Sequence, residues 1–254
     1  MSSHQLTFDP LSIHILDRTA ALIHFAILSK HTNSLHFFDF NTSQQSLSET
    51  RKILLNNPVI SSFFNSKQIL ILQNSSLTIY QLSGQLREVE LSFTPHQIFQ
   101  NYITSKSGQI FIFNSQFDIN LIAKLALPPL QVLRLNDQIL TISLLQAQRF
   151  EIQPNDSLKE ILNLRVNCRA ATTKNDKIVF ASENKIYEFG TEIKEVKIEV
   201  GVNVMHLDCF GELSGKCWFR DKEIGSGFGS VVSCCEGVDC QIFGFQSWEL
   251  GIWW

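Results

Sequence analysis

Charged side chains are scarce in this 254-residue sequence, at 18 % of the chain against roughly 25 % in an ordinary soluble protein. Neutral polar residues, chiefly Ser, Asn and Gln, take the place of many surface charges. The formal net charge of −3 is not that of a basic nucleic-acid-binding domain, so direct nucleic-acid binding is not favoured. A hydrophobic content of 44 % excludes a wholly disordered chain.

Long apolar runs and a secretory leader are also missing. No stretch approaches 18 consecutive apolar residues, so no membrane span is expected. The first residues lack a basic segment followed by an apolar run and a cleavage site, so no signal peptide is expected either. We therefore expect a protein of the cytoplasm, the nucleus or both.

The cysteines fit an intracellular protein best. A small secreted protein would hold them in disulfides, whereas buried thiols are ordinary in the cytosol. Three disulfide bridges and a metal site that begins at His206-x-x-Cys209 stay open as alternatives, although two spaced Cys-x-x-Cys pairs are missing. The six residues are Cys168, Cys209, Cys217, Cys234, Cys235 and Cys240.

Amphipathic helices are almost absent, and the best candidate is the short segment SLKEILNL at 157–164. Pairs of short apolar runs, each separated by a few polar or turn residues, recur instead, which is typical of β-hairpins. There are seven such hairpins, at 25–40, 68–82, 98–114, 138–152, 177–190, 205–221 and 240–254.

The spacing of these hairpins indicates a repeat architecture. Their turns lie 30 to 43 residues apart. A hairpin repeat of this period is typical of propeller blades. The sequence therefore predicts an all-β fold, a seven-bladed β-propeller that occupies residues 1–254 as a single domain.

The strands themselves support that prediction. Segments such as ILIL at 69–72 and IFIF at 110–113 are apolar at consecutive positions, which indicates that both faces of the sheet are covered. Blades covered by their neighbours meet this condition without helices. We also expect the ring to close by pairing of the N- and C-terminal strands, with QLTF at 5–8 as the outer strand of the last blade. Such pairing removes two exposed edges.

Several stretches are similar to the repeats of the regulator-of-chromosome-condensation family. These are LRVNC…KIYEFG at 164–190, VVSCCEGVDCQIFGFQSWELG at 231–251 and LHFFDFNTSQQSL at 35–47. The resemblance implies a propeller. It also implies one of two roles: nucleotide exchange on a small GTPase, or an accessory role in tRNA modification beside the Elongator complex, as in a small single-domain relative.

WD-repeat propellers are the second family for comparison. NYITSKSGQIFIFN at 101–114 and QIFGFQSWELGIW at 241–253 loosely resemble a WD-repeat hairpin. The chain contains neither a Trp-Asp nor a Gly-His dipeptide. This resemblance implies a scaffold subunit.

Motifs that carry catalysis are missing. The sequence has no G-x-x-x-x-G-K-[ST] phosphate loop, no G-x-S-x-G nucleophile elbow and no H-E-x-x-H zinc helix. The glycine-rich segment GSGFGS at 225–230 is interpreted as a loop between blades. We therefore expect no enzymatic activity, no cofactor and no metal.

Aromatic residues near the C-terminus are the candidates for partner binding. Trp and Arg are favoured interface anchors because they bury much area at modest entropic cost. Trp253 and Trp254 are adjacent on a strand and must face opposite ways, so they cannot fill the same pocket. The partner-binding candidates are Trp218, Arg220, Trp248 and Trp254.

The sequence thus predicts a non-catalytic interaction platform that serves as an accessory subunit of an intracellular complex. It would be a monomeric ring bound to one or more protein partners, with no membrane contact. A regulatory or exchange factor for a small GTPase and a WD-type scaffold remain alternatives.

Overall fold

The structure is a computed structural model in which the described residues form strands, turns and loops, with no helix among them. It describes residues 2–143, 145–154, 157–165, 168–174, 177–182, 185–189, 195–197, 202–206, 209–212, 216–219, 222–227, 230–237 and 240–254. No helix able to span a bilayer occurs in that part of the chain.

The strands of the first half of the sequence are β1 (Ser2–Gln5), β2 (Ser12–Arg18), β3 (Leu22–Ser29), β4 (Ser34–Asn41), β5 (Ser46–Leu54), β6 (Val59–Phe64), β7 (Gln68–Gln73), β8 (Ser76–Gln81), β9 (Leu86–Glu90), β10 (Pro95–Phe99), β11 (Tyr102–Ser105), β12 (Gln109–Phe113), β13 (Ile119–Lys124) and β14 (Gln131–Leu135).

Those of the second half are β15 (Gln138–Ile142), β16 (Ala147–Ile152), β17 (Leu158–Leu164), β18 (Cys168–Lys174), β19 (Lys177–Ser182), β20 (Lys185–Phe189), β21 (Glu195–Lys197), β22 (Val202–His206), β23 (Cys209–Glu212), β24 (Lys216–Phe219), β25 (Lys222–Ser226), β26 (Val231–Gly237), β27 (Cys240–Phe245) and β28 (Glu249–Trp253).

The described strands assemble into seven four-stranded antiparallel sheets. Six sheets take four strands that are consecutive in the sequence, and the seventh has the order β1-β28-β27-β26. The second and third strands of each sheet coincide with one of the seven predicted hairpins, so the hairpin prediction is confirmed. In the seventh sheet, Ser2 pairs with Ile252 and Gln5 with Glu249. The strand beside β28 is therefore Ser2–Gln5, three residues earlier than the predicted 5–8.

The chain divides into two compact units. The first comprises residues 1–59 and 199–254, and the second comprises residues 60–198. In the first unit, the sheet of β2–β5 packs on the sheet of β26–β28 and β1 through a core that includes Phe25, Phe40, Ile242 and Ile252. In the second unit, the main cores lie between successive sheets, as where Leu133 and Leu140 meet Phe180.

Burial on both faces follows from the apolar runs. All six residues of β27 are buried, and so are five of the six residues of β7. In the first unit, Gly244 of β27 is enclosed so tightly by its own sheet and by the segment before β2 that glycine is required. A Cβ on Gly244 would lie 2.5 Å from Ser233 Oγ and 2.8 Å from Pro10 Cγ, distances that real side chains avoid.

Among the strands whose burial the structure describes, the outer strands β5, β9, β13 and β17 are the most exposed. In four sheets of the described chain, the register between the third and fourth strands shifts by one residue, and the residues skipped are Thr50, Ile122, Ile161 and Ile224. Such bulges twist an outer strand and protect its open edge against pairing with another chain.

The structure corrects the helix predicted at 157–164, and it places three of the cysteines in apolar cores. SLKEILNL, the helix candidate, is wrong as a helix, because residues 158–164 form the outer strand β17. Its side chains at 159–163 are all exposed, so the strand lacks the apolar alternation that would have revealed it. Cys217, Cys235 and Cys240 are buried in the apolar cores of the first unit.

Candidate interaction surface

Trp248 combines a left-handed backbone conformation with an exposed indole. It ends the three-residue turn between β27 and β28, with φ at 65°, and its side chain is 42 % exposed. The left-handed region is unfavourable for a bulky L-residue, because its Cβ crowds the following carbonyl oxygen. A large aromatic residue therefore has a strained backbone conformation and an exposed side chain.

In two other sheets the corresponding position is filled by residues that suit the turn. Asn33 precedes the third strand β4 with φ at 44°, and Gly108 precedes β12 with φ at 83°. Asn and Gly tolerate the left-handed region best. Trp is less suited to this conformation, and unlike Phe117, a second aromatic residue with a positive φ (69°), Trp248 is exposed.

Backbone contacts hold Trp248 rigidly. Its N–H donates to the carbonyl oxygen of Phe245 at 3.0 Å, and its own carbonyl oxygen accepts from the backbone N–H of Leu6 at 2.8 Å. The side-chain amide of Gln5 donates to the same oxygen at 3.2 Å. Because the backbone of the turn is already fixed, a partner that covers the exposed indole does not have to order that backbone.

A neighbouring turn lies against this indole. The His31 ring centroid is 6.4 Å from that of Trp248, with the planes tilted by 52°. Asp9 fixes that turn, because its Oδ1 accepts from Ser29 Oγ at 2.7 Å and from the His31 N–H at 3.1 Å. We call the group Gln5, Asp9, His31, Ser247 and Trp248 the Trp248 surface.

A buried aromatic pair is formed by Phe8, which precedes Asp9 in the sequence, and His36 of β4. Phe8 stacks on the imidazole of His36 with centroids 3.7 Å apart, and both side chains are 2 % exposed. The ring nitrogens of His36 lie 2.6 Å from Ser34 Oγ and 3.4 Å from Glu49 Oε2. Burial lowers the pKa of His36 and outweighs Glu49, which raises it; Lys52 lowers it further.

This lowered pKa predicts acid sensitivity. Since the folded protein binds the proton on His36 less tightly than the unfolded chain does, stability is fully present above the unfolded pKa of about 6.5 and falls as the pH drops below it. Burial lowers the pKa of His4 and His96 as well, and acts in the same direction.

We expect His36→Asn to lose less stability than the wild type between about pH 7 and pH 5. Urea unfolding at a series of pH values measures this, and parallel curves would contradict it.

Trp218, a predicted partner-binding residue, lies elsewhere in the first unit and is half-buried in β24. Lys216 Nζ is 6.0 Å from the centre of its ring and 3.1 Å from Glu223 Oε2. These contacts do not test the predicted role of Trp218 in partner binding. Arg220 lies outside the described residues, so its predicted role stays a prediction.

Trp254 lies at the opposite end of β28 from Trp248. Six residues of extended chain separate the two, or about 20 Å. The Trp254 ring, 37 % exposed, meets Phe40 edge-on with centroids 4.9 Å apart. Trp253 turns inward, and its indole N–H donates to the carbonyl oxygen of Ile224 at 2.8 Å. The structure therefore does not bring Trp218, Trp248 and Trp254 into one site.

Two members of the Trp248 surface, Asp9 and His31, were missed by sequence reasoning. They belong to separate segments, and no spacing signal connects them to Trp248. Their contacts depend on the β1–β28 pairing, which places the segment after β1 beside the turn at 246–248.

Groups with catalytic potential are few. His24 Nδ1 lies 2.6 Å from Asp39 Oδ1, a pair found in hydrolases, but the nearby hydroxyl of Ser48 donates to the backbone carbonyl of Asp39 at 3.4 Å. Within the described residues, no group of three His, Cys, Asp or Glu side chains is placed to hold a metal ion.

The comparison with solved structures identifies the fold. Virginiamycin B lyase from Staphylococcus aureus, in a catalytically inactive form with quinupristin, is 16 % identical, with a TM-score of 0.74 over 99 % of this chain and 97 % of that one. The WD40 propeller domain of Doa1 is 10 % identical, with a TM-score of 0.72 over 99 % and 94 %. BBS1N, in complex with ARL6, is 10 % identical, with a TM-score of 0.68 over 98 % and 95 %.

This chain thus has a β-propeller fold. No protein-family model and no curated protein matches its sequence. At these identities the likeness shows the fold alone, and it does not single out the regulator-of-chromosome-condensation type. The neighbours include both a lyase and propellers that fit an interaction scaffold, so the fold by itself leaves the absence of catalysis as a proposal.

Proposed function

We propose that this protein is a non-catalytic interaction platform and that Trp248 anchors its protein partner. The observation that carries the proposal is the exposed indole of Trp248, presented by a turn whose backbone is strained and hydrogen-bonded. Backbone strain persists where the surrounding structure enforces it, and it concentrates at functional sites. Trp is also the residue type most enriched among binding hot spots.

The proposed platform is a closed seven-bladed ring. Support comes from the seven four-stranded sheets of the described chain and from the pairing of β1 with β28. A closed ring leaves no open sheet edge at its seam, and it presents loops such as the turn at 246–248 on a rigid frame.

The proposed partner is a protein of an intracellular complex in the cytoplasm or nucleus. The resemblance to regulator-of-chromosome-condensation repeats supports an accessory role in tRNA modification beside Elongator. The same resemblance supports the second candidate, regulation of a small GTPase. A WD-type scaffold subunit is the third candidate, and it would belong to a different repeat family.

The partner contact should resist salt. Gln5, Ser247 and Trp248 of this surface are uncharged, and its carboxylate, Asp9, already accepts two hydrogen bonds. Screening by salt therefore has little to weaken.

Affinity purification of the tagged protein from its native cells, washed at low and at high salt, tests this. We expect one stoichiometric protein that persists through both washes. A partner lost at moderate salt would contradict the neutral contact, and a partner-free monomer would contradict the platform.

A further inference from the structure

A small cleft in the second unit is independent of the Trp248 surface. It lies where the sheet of β10–β13 meets the sheet of β14–β17 and has a volume of about 40 Å³. One water needs about 10–15 Å³ by the same measure, so the cleft has room for the end of a branched side chain. Its aliphatic lining consists of Ile112, Ile122, Ile139, Ile152 and Leu158.

One cation borders this apolar lining. Arg134 is exposed and takes part in the wall of the cleft. Its Nε–H donates to the carbonyl oxygen of Asn136 at 3.0 Å, which fixes the guanidinium. Within the described part of the chain no carboxylate pairs with it, and its two terminal nitrogens keep their donors. A fixed guanidinium with both terminal donors available is suited to bind a carboxylate through two hydrogen bonds.

We infer that this cleft binds the C-terminal residue of a partner peptide, a small aliphatic residue whose side chain enters the cleft while its carboxylate pairs with Arg134. One residue must supply both groups, because the cleft holds a single side chain and has one cation beside it. A C-terminal Val, Ile or Leu does so, since its carboxylate and its side chain branch from the same Cα atom. An internal acidic residue would place its charge on a different side chain from the apolar group.

Short fluorescent peptides that end in Val, Ile or Leu test the inference by anisotropy with the full chain. We expect the free acids to bind and the C-terminal amides to bind about tenfold more weakly or worse, since a charged hydrogen-bonded pair is lost. Arg134→Gln should weaken the free acids by a similar factor. Leu158→Phe, which fills the cleft from its rim, should weaken them while leaving Arg134 in place.

Arg87→Gln is the matched control, because Arg87 is also an exposed arginine of the second unit but lies over the ring of Phe117 at 5.4 Å. It should bind the peptides as the wild type does. Equal binding of acids and amides, equal affinity of the Arg134 and Arg87 variants, or no binding at millimolar peptide would each overturn the inference. Preference for an amidated peptide with an internal Glu would overturn it as well. Trp248→Gly should leave this binding unchanged, so failure here and failure of the platform are distinguishable.

Discussion

Replacing Trp248 with Gly should weaken partner binding by about 2–4 kcal/mol, roughly 30-fold to 1,000-fold in Kd, while the free energy of unfolding changes by no more than about 1 kcal/mol. Affinity and stability are expected to respond differently, because the Trp248 side chain contacts the partner but strains the backbone of its turn. Glycine adopts the φ of 65° without strain, and this relief of about 1 kcal/mol offsets the lost contact with His31.

Trp248→Ala makes the comparison sharper. Alanine removes the same indole but keeps a Cβ in the left-handed conformation, so it should lose the partner equally and be less stable than the Gly variant. Urea unfolding gives the stabilities, and titration with the purified partner gives the affinities. If the Gly variant unfolds much more easily than the wild type, Trp248 is a packing residue and the proposed anchor is wrong.

Removing residues 1–5 is expected to have the second large effect, a loss of about 3 kcal/mol or more from the free energy of unfolding. The deletion takes away β1, whose four residues pair with β28, and leaves the backbone groups of Leu250 and Ile252 without that neighbour. Each lost backbone hydrogen bond costs about 0.5–1.5 kcal/mol. The new sheet edge also favours association between chains.

His4→Ala is the control for this deletion. It removes the contact between the imidazole and Phe40, whose centroids lie 5.5 Å apart, but it keeps the pairing of β1. We expect it to cost less than about 1 kcal/mol. Equal stabilities of the deletion and the wild type in urea would show that the ring does not depend on the pairing of its two ends.

The inner hairpins could be predicted from the sequence because two independent signals indicate them. Strands such as β7 and β27 are buried on both faces and so read as unbroken apolar runs, and polar turn residues bound them. The outer strands lack such an apolar run. Residues 159–163 of β17 are exposed, and a mixture of charged and aliphatic side chains on an open edge resembles a weak helix as much as a strand.

The candidate site was only partly predictable. Trp248 could be selected as an aromatic residue in a turn, but its φ of 65° depends on the hairpin geometry, and its contact with His31 depends on residues more than 200 positions apart in sequence. From composition, Trp218 and Trp254 were candidates of the same rank as Trp248. The structure distinguishes the three by their neighbours, since Trp254 lies against Phe40 and Trp218 lies beside Lys216.

The central claim is that this propeller is an interaction platform anchored at Trp248. The most direct test captures partners from native cells with the wild type, Trp248→Gly and Trp254→Ala side by side under a high-salt wash. Trp254 is the matched control, because it is a tryptophan of similar exposure at the other end of the same strand. We expect one stoichiometric partner with the wild type and with Trp254→Ala, and its loss with Trp248→Gly. Retention of that partner by Trp248→Gly would contradict it.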